Sequence, residues 1–229
     1  MSSYSRFALY HSPPPGPLAD KTAAWLGWDA ESASECEQPH LDGLPDDPEH
    51  LTRAPRKYGF HATLRAPFRL VGTLDESALR DAVAELAAML APVTLAGLQV
   101  AALGRFLALR PVGDIAALEA FAGDIVRGSN GWRAPMSDAE RARRRPESLT
   151  PDQRALLDEW GYPYVFDQFR FHMTLTGPLD PAHLLQVIDA LSAYLTPVLP
   201  APYPITDICL FGERPDGRFE IVERYALTG

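Results

Sequence analysis

"FRFHMTLTGPL", residues 169–179, repeats the His-x-Thr-Leu of "YGFHATLRAPF", residues 58–68. Both stretches read as strands, in which side chains alternate between two faces. His61 and Thr63 then point one way, and Phe60, Ala62 and Leu64 the other. In the second stretch Arg170, His172, Thr174 and Thr176 share a face opposite Phe171, Met173 and Leu175. The apolar faces suit a helix-packed core, and the polar faces suit a groove.

Each motif opens a similar series of elements. After the first comes a helical pattern over 75–90, with Leu79, Val83, Leu86 and Leu90 in register, then two strands turned at "GRF", 104–106. After the second comes a helical pattern over 180–195, then a hairpin turned at "RPDG" with "GRF" at 217–219. His61 stands 43 residues before Gly104, and His172 stands 45 before Gly217. This similarity reads as an internal duplication of one unit. The expected fold is α+β: two pseudo-twofold-related lobes, each an antiparallel sheet with outer helices, with a groove between them. The chain is read as a single bilobal domain, 1–229. A first-lobe motif covers about 56–112 and a second about 168–229, with a helical insertion at about 129–167 that has no counterpart in the first half. Further elements are a strand over 6–11, a short helix near 18–28, a long polar loop over 30–55 with one short helix, and a helix over 114–127.

Two imidazoles facing each other across a pseudo-twofold can divide acid–base work, one taking a proton while the other gives one. Threonine hydroxyls beside them can donate to the non-bridging oxygens of a phosphate. Between Leu51 and Leu74 lie Arg53, Arg56, Lys57, Arg65 and Arg69 and no acidic residue, although the 229-residue chain carries a net charge of −9. Strand alternation places Lys57 and Arg65 on the face of His61, and Arg170 on that of His172. These residues, with Thr63, Thr174, Thr176 and the neighbouring Tyr58, are the candidate binders of an anionic substrate. Tyr58 and Tyr10 are candidates to border the groove, although aromatics beside strands as a rule fill cores. Arg141, Arg143, Arg144 and Arg145 read either as a solvated helix face or as a lid closing over a phosphate, with Arg133 able to join it.

The paired motifs resemble the two-histidine phosphoesterase superfamily, which includes RNA 2′,5′-ligase-like proteins and cyclic nucleotide phosphodiesterases. The longer phrases "APRKYGFHATLRAPFRL" and "RRRPESLTPDQRALLDEWGYPYVFDQFRFHMTLTGPL" resemble more narrowly a bacterial branch linked to phosphonate metabolism. The resemblance covers nearly the whole chain. It implies that His61 and His172 are the catalytic acid–base pair and that Thr63 and Thr174 bind phosphate. It also implies chemistry that needs no metal and no cofactor, acting on a cyclic phosphodiester of a small sugar or nucleotide. The alternative class is a non-catalytic module binding a phosphorylated metabolite or an RNA 2′,3′-cyclic phosphate end.

Composition narrows the partners. With 46% apolar and 22% charged residues and a pI near 5.1, the chain suits neither DNA nor an anionic membrane. RNA processing is disfavoured by the lack of a basic strip laced with aromatics. No G-x-G-x-x-G or G-x-x-x-x-G-K-[ST] occurs, so neither usual nucleotide cradle is expected. Cys36 and Cys209 offer no disulfide framework, and residues 1–16 have no charged-then-apolar leader pattern. A cytoplasmic protein is expected.

Overall fold

The structure, a computed structural model, describes residues 4–229. The strands are β1 (Phe7–His11), β2 (Trp28–Asp29), β3 (Ser34–Glu35), β4 (Ala62–Phe68), β5 (Val93–Leu95), β6 (Gly97–Leu103), β7 (Phe106–Val112), β8 (Met173–Thr174), β9 (Tyr203–Ile205), β10 (Asp207–Glu213) and β11 (Phe219–Ala226). The α-helices are α1 (Pro17–Leu26), α2 (Pro48–Arg56), α3 (Glu76–Ala88), α4 (Ala116–Gly128), α5 (Asp138–Arg143), α6 (Pro151–Trp160) and α7 (Leu184–Leu195).

Local chemistry accounts for the helix limits. Asp75 caps α3 by accepting from the Ala78 N–H, while Leu79, Val83 and Leu86 are buried along one face. Ser137–Glu140 and Thr150–Gln153 form capping boxes at the starts of α5 and α6, and Gly161 ends α6 at φ 78°. The helical pattern from Asp180 begins as a 3-10 turn, Pro181–His183, before α7.

The fold is α+β, with antiparallel pairing throughout the main sheet. Its strand order is β11-β10-β1-β4-β8-β7-β6. The two half-sheets expected from the duplication meet edge to edge, where Ala62 of β4 pairs with Met173 of β8. Equivalent elements also pair a second time, β5 with β9 through Val93↔Ile205. Both contacts join corresponding elements of the two halves of the chain.

The sequence halves do not map one to one onto the halves of the sheet. Hairpin β6–β7 of the first half lies beside β8 of the second, and hairpin β10–β11 of the second lies beside β1 and β4. Helix α3 packs on β10 and β11, and α7 on β6 and β7. Each lobe therefore combines the motif strand of one half with the hairpin of the other. β1 is inserted between β4 and β10 and breaks the symmetry.

The strand expected over 169–176 is shorter than its counterpart. Beyond Thr174 the ladder is diverted: the Leu107 N–H donates to Thr176 Oγ1 (3.0 Å), and the Leu175 and Thr176 N–H groups both donate to the Leu107 carbonyl (2.8 and 3.2 Å). A side-chain oxygen has taken the place of a backbone acceptor. The Trp25 indole N–H then holds the Leu175 carbonyl at 2.8 Å. Among the described residues no helix is long and apolar enough to cross a membrane.

Two stability changes follow. Thr176→Val leaves the buried Leu107 N–H without its acceptor and should cost about 1–3 kcal/mol; chemical denaturation with an unchanged midpoint would refute this role. Gly59 sits at φ +69°, and a Cβ there would lie 2.6 Å from the Ala30 Cβ. Gly59→Ala should therefore destabilise by more than about 1 kcal/mol, read as a lowered thermal midpoint.

Candidate functional site

Ala62 and Met173 are fully buried in the core. Continuing their antiparallel register by one residue each way sets His61 opposite Thr174 and Thr63 opposite His172. Residues directly opposite on paired strands point the same way. The two histidines and two threonines thus form the corners of one patch on the face away from the core.

Both imidazoles are held alike. His61 Nδ1 lies 3.0 Å from the Gly59 carbonyl, and His172 Nδ1 lies 2.6 Å from the Arg170 carbonyl. A carbonyl only accepts, so each Nδ1 carries the proton and each neutral ring presents a bare Nε2. Thr63 Oγ1 is 3.3 Å from His61 Nε2. Gly59, whose carbonyl His61 meets, has a positive φ of 69° at the entry to the motif.

The surroundings of the two rings differ. Tyr10 of β1, paired with Thr63, stacks on His61 with ring centroids 3.8 Å apart. His172 instead lies 5.7 Å from Phe106, centroid to centroid. Burial, and secondarily the neighbouring His172, bring the His61 imidazole down to about 4. Burial also lowers His172, with the nearby Arg110 adding to the effect.

His61, Thr63, Thr174 and Thr176 line a cavity of about 330 Å³ together with Tyr10, Tyr58, Phe106, Arg144 and Tyr162. His172 stands against its wall at Phe106. Thr176 also serves the backbone of β7, as described above. Arg170 serves the site through its carbonyl; its guanidinium is exposed and folds back onto the Asp167 and Phe169 carbonyls.

Arg65 and Lys57 line an adjoining cavity of about 280 Å³ rather than that of the histidines. Strand alternation does not carry from Thr63 to Arg65, because the β1–β4 register slips between Leu9 and Tyr10. Lys57 is exposed, its Nζ 4.8 Å over the Tyr58 ring. The two cavities share Tyr58, Ala66, Pro67, Arg144 and Tyr162.

The insertion 129–167 covers both cavities. Arg144 lies 5.0 Å over the Tyr162 ring and reaches the two of them, while Arg141 is paired with Asp158 at 2.7 Å. Of the basic run, then, one arginine is tied down at the surface and another faces the site. Arg110, Phe106 and Tyr162 were not evident as site residues in the sequence. Only the non-local strand pairing and the folding of the insertion bring them in. Among the described residues no group of three or more His, Cys, Asp or Glu is placed to hold a metal ion.

Comparison with known proteins adds relatives of two kinds. The chain is 38% identical over 179 residues to the "Ribose 1,5-bisphosphate phosphokinase PhnN" of Janthinobacterium sp. (strain Marseille), covering 77% of this chain and 40% of that protein. It is 32% identical over 209 residues to the protein of the same name from Laribacter hongkongensis (strain HLHK9), covering 91% and 48%. The chain thus spans less than half the length of these curated relatives. Among solved structures, TT0787 of Thermus thermophilus matches at 17% identity and TM-score 0.45, covering 98% of each chain. E. coli LigT complexed with 3′-AMP matches at 15% and 0.44, with the same coverage. At such values these two inform neither substrate nor residue roles here. A family model does match residues 63–220, both His-x-Thr threonines included, and by that match the chain belongs to the family described as "Protein of unknown function (DUF1045)".

Proposed function

We propose that the protein is a phosphoesterase that opens a cyclic phosphodiester on a small sugar, in phosphonate metabolism, without a metal. The observation that carries this is the cross-strand square of His61, Thr174, Thr63 and His172, with both imidazoles anchored through Nδ1 to a carbonyl two residues back. Anchoring fixes the tautomer and leaves two Nε2 atoms for proton transfer at a phosphate seated between the strands. Thr63 and Thr174 would donate to its non-bridging oxygens.

The step balances with water alone. The base takes a proton from water as its oxygen bonds to phosphorus. The ring P–O bond breaks, and the acid protonates the departing sugar oxygen. His61, stacked under Tyr10 and held at about 4, suits the base, because it stays neutral at the pH of the cell. His172, without such a stacked partner, suits the acid. The curated relatives bear the name of an enzyme acting on ribose 1,5-bisphosphate. A ribose 5-phosphate that also carries a cyclic phosphate through its anomeric oxygen would be a chemical precursor of such a bisphosphate, since breaking the ring P–O bond to the other sugar oxygen leaves a phosphomonoester at the anomeric position.

The test is turnover of ribose and nucleoside cyclic phosphates in EDTA, followed by ³¹P NMR. His61→Ala and His172→Ala should each lower kcat by about 10²–10⁴. Turnover that survives both changes, or binding of every candidate with no turnover by the wild type, would instead favour a binding module.

The pH profile has a defined direction. kcat/KM reports the free enzyme, where both imidazoles are depressed from 6.5. Base deprotonated with acid protonated is then most populated on the acid side of pH 6.5. A bound anion between the rings favours their protonated forms, so the kcat profile should lie at higher pH than that of kcat/KM. A kcat/KM optimum above neutrality would contradict the assignment.

A further inference from the structure

Beside the histidine cavity lies one whose charge is unbalanced. It is lined by seven cationic side chains and one carboxylate, Glu140. Arg69 is paired with Glu140 at 3.0 Å, and Arg6 with Glu213. Among the described residues the other five, Lys57, Arg65, Arg133, Arg143 and Arg144, have no carboxylate within ion-pair distance.

Arg65 is the extreme case. It is 2% exposed, and one of its terminal nitrogens, Nη1, has no hydrogen-bond partner. Its other terminal nitrogen donates to Asn130 Oδ1 at 3.0 Å, and Arg133 Nε donates to the same oxygen, also at 3.0 Å. Two guanidinium groups thus converge on one neutral amide. A buried cation without a counter-charge is costly, and here a second cation adds repulsion. Burial, and then Arg133, pull the Arg65 guanidinium down to about 10. Such an arrangement is stabilised by an anion supplied from outside, and planar guanidinium forks suit a phosphate.

We infer that this cavity is a second anion subsite, binding a terminal phosphomonoester of the same substrate whose cyclic phosphodiester lies between His61 and His172. The shared walls, Tyr58, Arg144 and Tyr162 among them, let one small molecule occupy both cavities. The substrate class becomes a sugar bearing two phosphates, one cyclic and one terminal. The insertion, which supplies Arg133, Arg143 and Arg144, selects for the terminal one. This rests on the phosphoesterase reading for the identity of the first phosphate, but the subsite itself does not.

The test separates the two. In a His61→Ala/His172→Ala double variant, ribose 5-phosphate and inorganic phosphate are titrated by calorimetry. Binding should persist there and weaken by about tenfold or more when Arg133→Gln or Arg65→Met is added. Arg133 is only half-buried, so its variant keeps the test open if Arg65→Met does not fold. In the enzyme with intact histidines, the ratio of kcat/KM for a pentose cyclic phosphate with and without a 5-phosphate should fall by a similar factor in Arg133→Gln. Arginine-dependent binding with no turnover of any cyclic phosphate would leave the subsite standing and remove the phosphoesterase reading. Absence of binding in the double variant, or binding indifferent to both arginine changes, would overturn the subsite.

Discussion

The pairing of Ala62 with Met173 is the constraint on which the site depends. It is a short contact between β4 and the two-residue β8, yet it joins the two half-sheets and sets the register of both motifs. A slip of one residue would turn His61 or His172 into the core and bring a buried residue to the groove. The register is fixed because Ala62, Met173 and Leu175 are fully buried, and because neighbouring elements grip the chain just past the C-terminal end of the short strand. Trp25 holds the Leu175 carbonyl, and the Leu51 carbonyl accepts from the Gly177 N–H at 2.7 Å. The exchange of hairpins between halves adds to this. Since α3 packs on β10–β11 and α7 on β6–β7, each of these two helices is buried by the other half of the chain, and the site exists only when both halves have folded.

Much of this was legible in the residues. The helix patterns begun by Asp75 and Asp114 match α3 and α4, because a 3.6-residue apolar spacing and an acidic first turn are local signals. The polar alternation of His61 with Thr63 and of His172 with Thr174 survives into the sheet, because one face of each strand is core. What the sequence hides is non-local. The crossing of hairpins depends on which strand edges meet, and nothing in "GRF" at 104–106 says that its hairpin joins β8. Arg65 shows the limit of alternation: a register slip against Leu9 turns it into a different cavity from His61. Arg170 shows another. Its residue type suggested a phosphate ligand, but its backbone carbonyl is what orients His172. Tyr10 is both core and site, being 1% exposed and stacked on His61.

The acidic surface and the basic interior are parts of one electrostatic arrangement. With a net charge of −9, the chain gains no general attraction for nucleic acid or anionic membranes. Many of its exposed arginines are matched by neighbouring carboxylates, as in Arg141–Asp158 and Arg80–Glu223. Cations left without one converge where β4 meets the insertion. A counter-charge built from protein would quench that convergence, whereas an unfilled one keeps it available to a ligand.

The same deficit acts on the two histidines. Enclosed by Tyr10 and Phe106, and with no carboxylate among the described residues paired to either imidazole, both rings are held toward the neutral form, and His172 adds to the cost of protonating His61. A carboxylate orienting either ring, in place of the Gly59 or Arg170 carbonyl, would raise its basicity and leave it charged in the empty site. With neutral carbonyl anchors, the proposed anionic substrate would itself bring the missing negative charge. In the proposed reaction, an anion seated between the strands would stabilise a proton on one Nε2 while the other stays bare, and so would make two similarly placed histidines unlike at the moment their roles must differ.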